Sequence, residues 1–408
     1  MSDPITRRAA LQLGLTGLVA AGTTRASDPP STAPARAFLT PAKDFRDVSR
    51  GKPIPHTLTG EALVKARLTP ETWRLEVVTA DKPDAGSPAK IAKPLTVAAG
   101  TALDLPALVK LGDEHAVRFL KAMQCANIPR PLGQGLWEGV PLRDVLALAG
   151  KRENVRRVYF WGYHNDKPEQ KFQSSLAFSQ VFDTPPGEMP PFLAYKLNGE
   201  PIPLTRGGPV RMVVPWAHGF KSIKWLQTIV LTNGPTANDT YADAGNDPES
   251  FLKTAAYLDD AKPQEFSAGK PVVLRGTCMV GWPGLERVEY WLRPDVGTGG
   301  KLSADDPAWA KAEWRPGVID PPPADWSAWL PTGIAAKSVW GFGPDGKPKE
   351  WPLRYSIAHW TVTLSDLKPG KYELRVRTVD RNGFAQPEPR PGPPSGMNAV
   401  ACKLFEVK

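Results

Sequence analysis

Proline limits what this chain can build more than any other feature. It occurs 45 times in 408 residues, alongside 36 glycines, about twice the proline share of an ordinary globular chain. A proline inside a helix removes a hydrogen bond and clashes with the preceding turn, and in a central strand it removes a ladder bond. Long helical bundles are therefore excluded. What fits is a set of short strands joined by ordered loops, in a chain long enough for two domains with cores of their own.

The apolar pattern agrees. In "TPETWRLEVVTA", Thr69–Ala80, residues Trp73, Leu75 and Val77 alternate onto one face, a strand signal. A helix is expected over Asp104–Lys110, then a strand running into Cys125. Val140–Gly150 has helical spacing and a glycine stop. "VRRVYFWGYH" and "PFLAYKLNGEPIP" read as strands, the second with an Asn198-Gly199 tight turn, and "PVRMVVPWAHGFKSIKWLQTIVLTN" as two more around a glycine-containing loop. Residues 71–235 thus read as an α+β block, preceded by a Pro-rich linker and extended arm over 27–70. After Asn233 an apolar-poor loop intervenes, and only short alternating strands and turns follow. Residues 250–408 are expected to form an all-β sandwich of immunoglobulin type.

The N-terminus carries Thr6-Arg7-Arg8, an apolar run from Ala9 to about Ala21, and a small-residue exit at Thr24-Arg25-Ala26. That layout is a twin-arginine export signal over 1–26, or else an amphipathic helix with two chance arginines. The run is too short to span a bilayer, which takes about 20 residues, and no other span is expected. The reading is a periplasmic or secreted protein.

Net charge is +9, with 51 Lys+Arg against 42 Asp+Glu, and no block of like charges. A dispersed excess suits a small anion or an acidic partner, not a nucleic acid. The five histidines have no zinc-ligand spacing, and C-x-x-C-H, P-loop, G-x-G-x-x-G and G-x-S-x-G patterns are absent, so no haem of its own is expected. Of the three cysteines, Cys278 and Cys402 lie in strand-like runs and read as free thiols or as a pair. Cys125 stands at the lip of a Pro/Gly loop, with packing, nucleophilic attack and coordination all open. Around it in sequence are loop cations: Arg130, Arg206, Arg211, Lys221, Lys224 and, in the arm, Arg50. A thiolate or a polyanionic cofactor needs such donors.

"QCANIPR…GLWEGVPLRDVL" resembles the cysteine loop of the sulfite oxidase family of molybdenum enzymes, with Gln124, Cys125, Ala126, Arg130, Trp137, Gly139, Val140, Pro141 and Leu142 in register. "LAYKLNGEPIPLTRGGPVRMVVPWAHGFKSIKWL" is similar to that family's second hallmark, and the C-terminal stretches to its dimerisation domain. The resemblance spans about 70–408 and implies a sulfite-oxidase-type molybdopterin domain followed by an immunoglobulin-like dimerisation domain. It implies a molybdopterin cofactor with Cys125 as the protein ligand to molybdenum. It also implies Arg130, Arg50 and a tyrosine, Tyr241 or else Tyr257, at the substrate. His164, Arg206, Arg211, Ser222, Ile223 and Lys224 would hold the pterin. Asn127-Ile128-Pro129 stands where the family has Gly-Asn-Arg, and Trp216 where it has glycine after Val-Val-Pro.

The expectation is an exported, sulfite-dehydrogenase-like oxidoreductase. It would transfer an oxygen atom in a two-electron step on a small anionic substrate, pass electrons to a carrier such as a c-type cytochrome, and work as a homodimer. The alternatives are an S-oxide reductase of the same fold and a secreted β-sandwich binding protein without catalysis.

Overall fold

The computed structural model describes residues 36–408, apart from 83–85, 127, 168–169, 238–239, 295, 297–299, 304–305, 307, 309–310, 388–395 and 397. The export signal, most of the linker, and Asn127 of the cysteine loop lie outside the described residues.

Two larger sheets build the first half, beside a two-stranded one that pairs Lys90–Ile91 with Arg152–Glu153. One orders its strands Leu103–Asp104, Arg74–Thr79, Leu226–Thr232, Arg157–Gly162 and Gln173–Ala177, with a single parallel pairing, Arg74–Thr79 on Leu226–Thr232. The other runs Glu200–Pro201, Phe192–Leu197, Gly133–Pro141, Val117–Met123, with Arg211–Val213 also on Phe192–Leu197. The alternating residues Trp73, Leu75 and Val77 enter a core that also takes Val158, Phe160 and Ile229. The helix expected over Asp104–Lys110 begins one residue later and extends to His115. The Asp104 carboxylate caps it by accepting from the Ala107 N–H at 2.9 Å. The helix expected over Val140–Gly150 is confined to Leu142–Ala147, because Val140 and Pro141 still belong to a strand. At Asn198-Gly199 both φ angles are positive, +53° and +84°, as a tight hairpin requires.

The second half contains two further sheets. Ala255–Leu258, Val272–Met279, Ile357–Leu364 and Val318–Ile319 form one; Gln264–Phe266, Ala401–Val407, Gly370–Asp380, Leu285–Arg293 and Arg315–Pro316 form the other. Leu274, Trp360 and Val362 from the first meet Leu374, Val376 and Phe405 from the second in one apolar core, so the two sheets make a sandwich. Cys278 and Cys402 are both free. They lie in different sheets, and burial raises both thiols, Cys402 to about 11.

Three features depart from the sequence expectation. The arm is not wholly extended: it holds a short helix over Gly60–Lys65 and single helical turns at Ala42–Asp44 and Pro55–Thr57. Within the region read as strands and turns, the Trp-rich stretch around 320–356 packs Trp326, Leu330, Val339, Phe342 and Leu353 onto Leu120 and Leu136 of the first half. Finally, the halves share a core: Phe119, Trp137 and Phe192 pack in one cluster with Leu252, Tyr257 and Tyr355.

Candidate functional site

Cys125 follows the strand Val117–Met123 directly, so its loop starts from a fully paired edge. The buried Gln124 side chain closes that loop by donating to the carbonyls of Cys125, at 3.1 Å, and Ile128. Gln124 O accepts from the Gly219 N–H at 2.7 Å, which ties the loop to the helical turn Gly219–Lys221. The free Cys125 thiol is half-buried and lines a cleft open to solvent.

Nine of the twelve residues named from sequence line this one cleft: Arg50, Cys125, His164, Arg206, Arg211, Ser222, Ile223, Lys224 and Tyr241. Arg130 does not. Between Pro129 and Pro131 its exposed side chain turns outward and reaches Asp259 O at 3.5 Å. The expected placement of Arg130 beside Cys125 is therefore corrected. Arg46 and Arg50, from the arm, both line the cleft, and Arg50 is the one that bonds Tyr241. Lys221 is also engaged elsewhere, donating to Ser175 O at 3.0 Å. Tyr257 is buried in the shared core, away from the cleft lining.

Cations crowd one part of the cleft. Arg206 donates to Phe45 O at 2.9 Å; Arg211 donates to Arg206 O at 2.8 Å and Ser222 O at 2.6 Å. Lys224 donates to Asp47 Oδ1 at 3.0 Å, Ser49 Oγ at 2.6 Å and Thr205 O at 2.9 Å. Burial, with Arg206 adding repulsion, pushes Arg211 down to about 9, and burial together with Arg211 pushes Lys224 down to about 8. Asp47 is held at about 2; its burial opposes this, and Ser49 and Lys224 overcome it. Gly207 sits here with φ +95°, and a Cβ on it would stand 2.6 Å from Lys224 Cγ. Behind this group Lys121, fully buried, donates to Pro215 O at 2.6 Å and Ala217 O at 3.1 Å, and burial and Arg211 lower it to about 7.

On another wall, Arg50 Nη2 donates to the Tyr241 hydroxyl at 3.0 Å. Tyr241 stacks on Phe220, with ring centroids 4.2 Å apart, and meets Phe172 edge-on at 5.8 Å. These rings cluster with Ala126, the residue after Cys125. Burial raises the Tyr241 hydroxyl, Arg50 opposing and the Cys125 thiol adding to it. Burial, then Arg50, lowers His164.

The residues present fit a pterin carrying a phosphate and a sulfur-ligated metal. Arg206 Nε and Arg211 Nε are buried without a hydrogen-bond partner and belong to side chains that line the cleft. Buried cations in excess of carboxylates are costly unless an anion completes them, and Cys125 supplies a soft ligand at the same cleft.

The comparisons with known proteins bear mainly on the first half of the chain. Residues 63–240 match the family described as "Oxidoreductase molybdopterin binding domain". This stretch, somewhat under half of the chain, is similar to molybdopterin-binding oxidoreductase domains. Its cofactor is Mo-molybdopterin. The NADPH nitrate reductase of Fusarium oxysporum is 38% identical over 127 residues, 31% of this chain and 13% of that protein. Mitochondrial sulfite oxidase of Rattus norvegicus is 31% identical over 198 residues, 43% of this chain and 32% of that one. The chain thus spans a third or less of the length of these two relatives. In fold it is similar to the crystal structure of the sulfane dehydrogenase SoxCD from Paracoccus pantotrophus, at 15% identity and a TM-score of 0.57, over 94% of this chain and 96% of that chain.

Sequence reasoning missed Asp47, Ser49, Lys121, Phe172 and Phe220. Asp47 and Ser49 stand within three residues of Arg50 in the arm and could have been found from that position. Phe172 and Phe220 give no local signal, since each is a lone aromatic residue, Phe172 between Lys171 and Gln173 and Phe220 between Gly219 and Lys221.

Proposed function

We propose that this chain is an exported oxidoreductase that transfers an oxygen atom in a two-electron step on a small sulfur oxyanion, in the manner of a sulfite dehydrogenase. The observation that carries this reading is the convergence, in one cleft, of the Cys125 thiol with Arg206, Arg211 and Lys224. Cys125 would bind the metal, the three cations the pterin's phosphate, and Ser222–Ile223 with His164 its ring system. The bound group would supply a two-electron redox centre able to exchange an oxygen atom. The chain itself would hold the substrate anion with Arg50. Tyr241, whose hydroxyl stays protonated at neutral pH, would donate a hydrogen bond to the same anion. The rings around it would exclude water.

The names sulfite oxidase and sulfane dehydrogenase, borne by two of the similar proteins, support a sulfur substrate. Electrons would pass to an external carrier such as a c-type cytochrome, and the chain's excess positive charge suits an acidic docking face. The twin-arginine motif at Thr6-Arg7-Arg8 supports export to the periplasm, and the C-terminal sandwich would serve as an immunoglobulin-like dimerisation domain.

The test is metal analysis of full-length protein exported from a host with twin-arginine transport. Stoichiometric molybdenum, lost in Cys125→Ser with the fold retained, is the expected result. A metal-free wild-type chain that folds normally and reduces no carrier with any sulfur compound would overturn the proposal.

A further inference from the structure

The wall beside Cys125 is poorly matched to a small, strongly hydrated inorganic anion. Such an anion is held by several converging charged donors. Among the described side chains, Arg50 is the cleft-lining cation that touches the rings of this wall: Arg46 also lines the cleft with no contact to them, Arg130 turns outward to Asp259, Lys221 lies 5.6 Å from the Phe220 centroid and donates to Ser175 O, and burial and Arg50 lower His164. The rest of the wall is aromatic. Phe220 lies parallel to Tyr241 with an interplanar angle of 8°, and Phe172 closes at 87°. The Arg50 guanidinium lies 5.4 Å from the Phe172 centroid and 5.5 Å from that of Tyr241, so charge and apolar surface are within reach of one ligand. Phe172, only half-buried, leaves part of its face toward the cleft. A group that is both monoanionic at sulfur and apolar beyond it satisfies all of these features.

The geometry points to an organic sulfinate, R–SO2⁻ with R aryl or alkyl, as the substrate class, with Phe172, Phe220 and Tyr241 forming the subsite for R and Arg50 facing the sulfinate oxygens. This rests on the oxidoreductase reading above and narrows its substrate. The reaction is R–SO2⁻ + H2O → R–SO3⁻ + 2 H⁺ + 2 e⁻. One S–O bond forms with oxygen derived from water, sulfur loses two electrons, and both protons go to solvent. The electrons leave to the one-electron carrier, of c-type cytochrome class, that serves the parent reaction.

The decisive experiment compares benzenesulfinate with sulfite on the molybdenum-loaded full chain, following cytochrome c reduction. Benzenesulfinate is expected to have the lower KM, by about tenfold, the effect of burying one phenyl ring only partly. Phe172→Ala should lower the ratio of the two kcat/KM values about tenfold in the direction of sulfite, and Phe172→Leu should restore part of it. A readout without turnover comes from calorimetry with the product analogue benzenesulfonate against sulfate. Benzenesulfonate should bind about tenfold more tightly, with a negative heat-capacity change. Equal or tighter use of sulfite, a kcat/KM ratio unmoved by Phe172→Ala, or turnover of methyl phenyl sulfoxide in place of benzenesulfinate would each overturn the sulfinate assignment. The broader reading fails separately, on the absence of molybdenum. Even in that case, benzenesulfonate binding no tighter than sulfate would overturn the subsite.

Discussion

Asp47 Oδ1 lies 3.0 Å from Lys224 Nζ, although 177 residues separate the two in the chain. The contact brings an arm carboxylate to a cleft that otherwise gathers cations, and it fixes Lys224 in place together with Ser49 and Thr205.

That pair gives a pH signature. Because Asp47 titrates at about 2 in the folded chain, below its ordinary value of 3.8, its contribution is fully present above pH 4 and is lost as pH falls toward 2. Its side chain is 36% exposed, so solvent screening keeps the contribution under about 1 kcal/mol. Asp47→Asn should flatten the fall in Tm between about pH 4 and 2 and change little near neutrality.

Lys121 acts in the opposite direction. Its folded value of about 7 lies below the ordinary 10.5, so between these pH values the unfolded chain binds a proton that the folded chain releases. Stability of cofactor-free protein should therefore rise with pH across that interval. Lys121→Met should reduce the rise, leaving the part due to Lys224 and Arg211, and it should cost about 1–3 kcal/mol by orphaning the carbonyls of Pro215 and Ala217. Urea melts at pH 7 and 10 would read both effects.

The two arginines named for the substrate should separate cleanly. Arg50→Ala removes the charge held 3.0 Å from the Tyr241 hydroxyl and should lower kcat/KM by about a hundredfold. Arg130→Ala, at an exposed position with one long contact, should leave kcat/KM unchanged and shift stability by less than about 0.5 kcal/mol.

In the sandwich, Glu373 is fully buried. It accepts from Arg293 Nε at 2.9 Å, from Arg375, and from the Leu302 N–H at 3.2 Å. Glu373→Ala would remove the carboxylate that neutralises the buried Arg375 and should cost about 3–5 kcal/mol in chemical denaturation.

Much of the site was legible because its signals are local. The loop bearing Cys125, the Arg206–Arg211 turn and Ser222–Lys224 are contiguous stretches whose residue types announce their chemistry, and they converge as expected. Arg130 was misplaced because sequence position does not determine which way a side chain leaves a Pro-flanked turn. The aromatic wall was invisible for a different reason: Phe172 and Phe220 come together only when the strand start at Gln173 meets the turn Gly219–Lys221. The Trp-rich stretch around 320–356 likewise has no period of its own, because its packing partners, Leu120 and Leu136, belong to the other half of the chain.

The arm also imposes an order of events during synthesis. It emerges from the ribosome early, yet the groups that hold it come later: Leu132 accepts from Arg46 N, Arg206 donates to Phe45 O, Lys224 pairs with Asp47, and Tyr241 accepts from Arg50. The first of these anchors needs residue 132 and the last needs residue 241, so the set is complete only when about residue 241 has been made. The first-made wall of the cleft is therefore the last to be secured, and the growing chain passes through a stage in which the site stands open on that side.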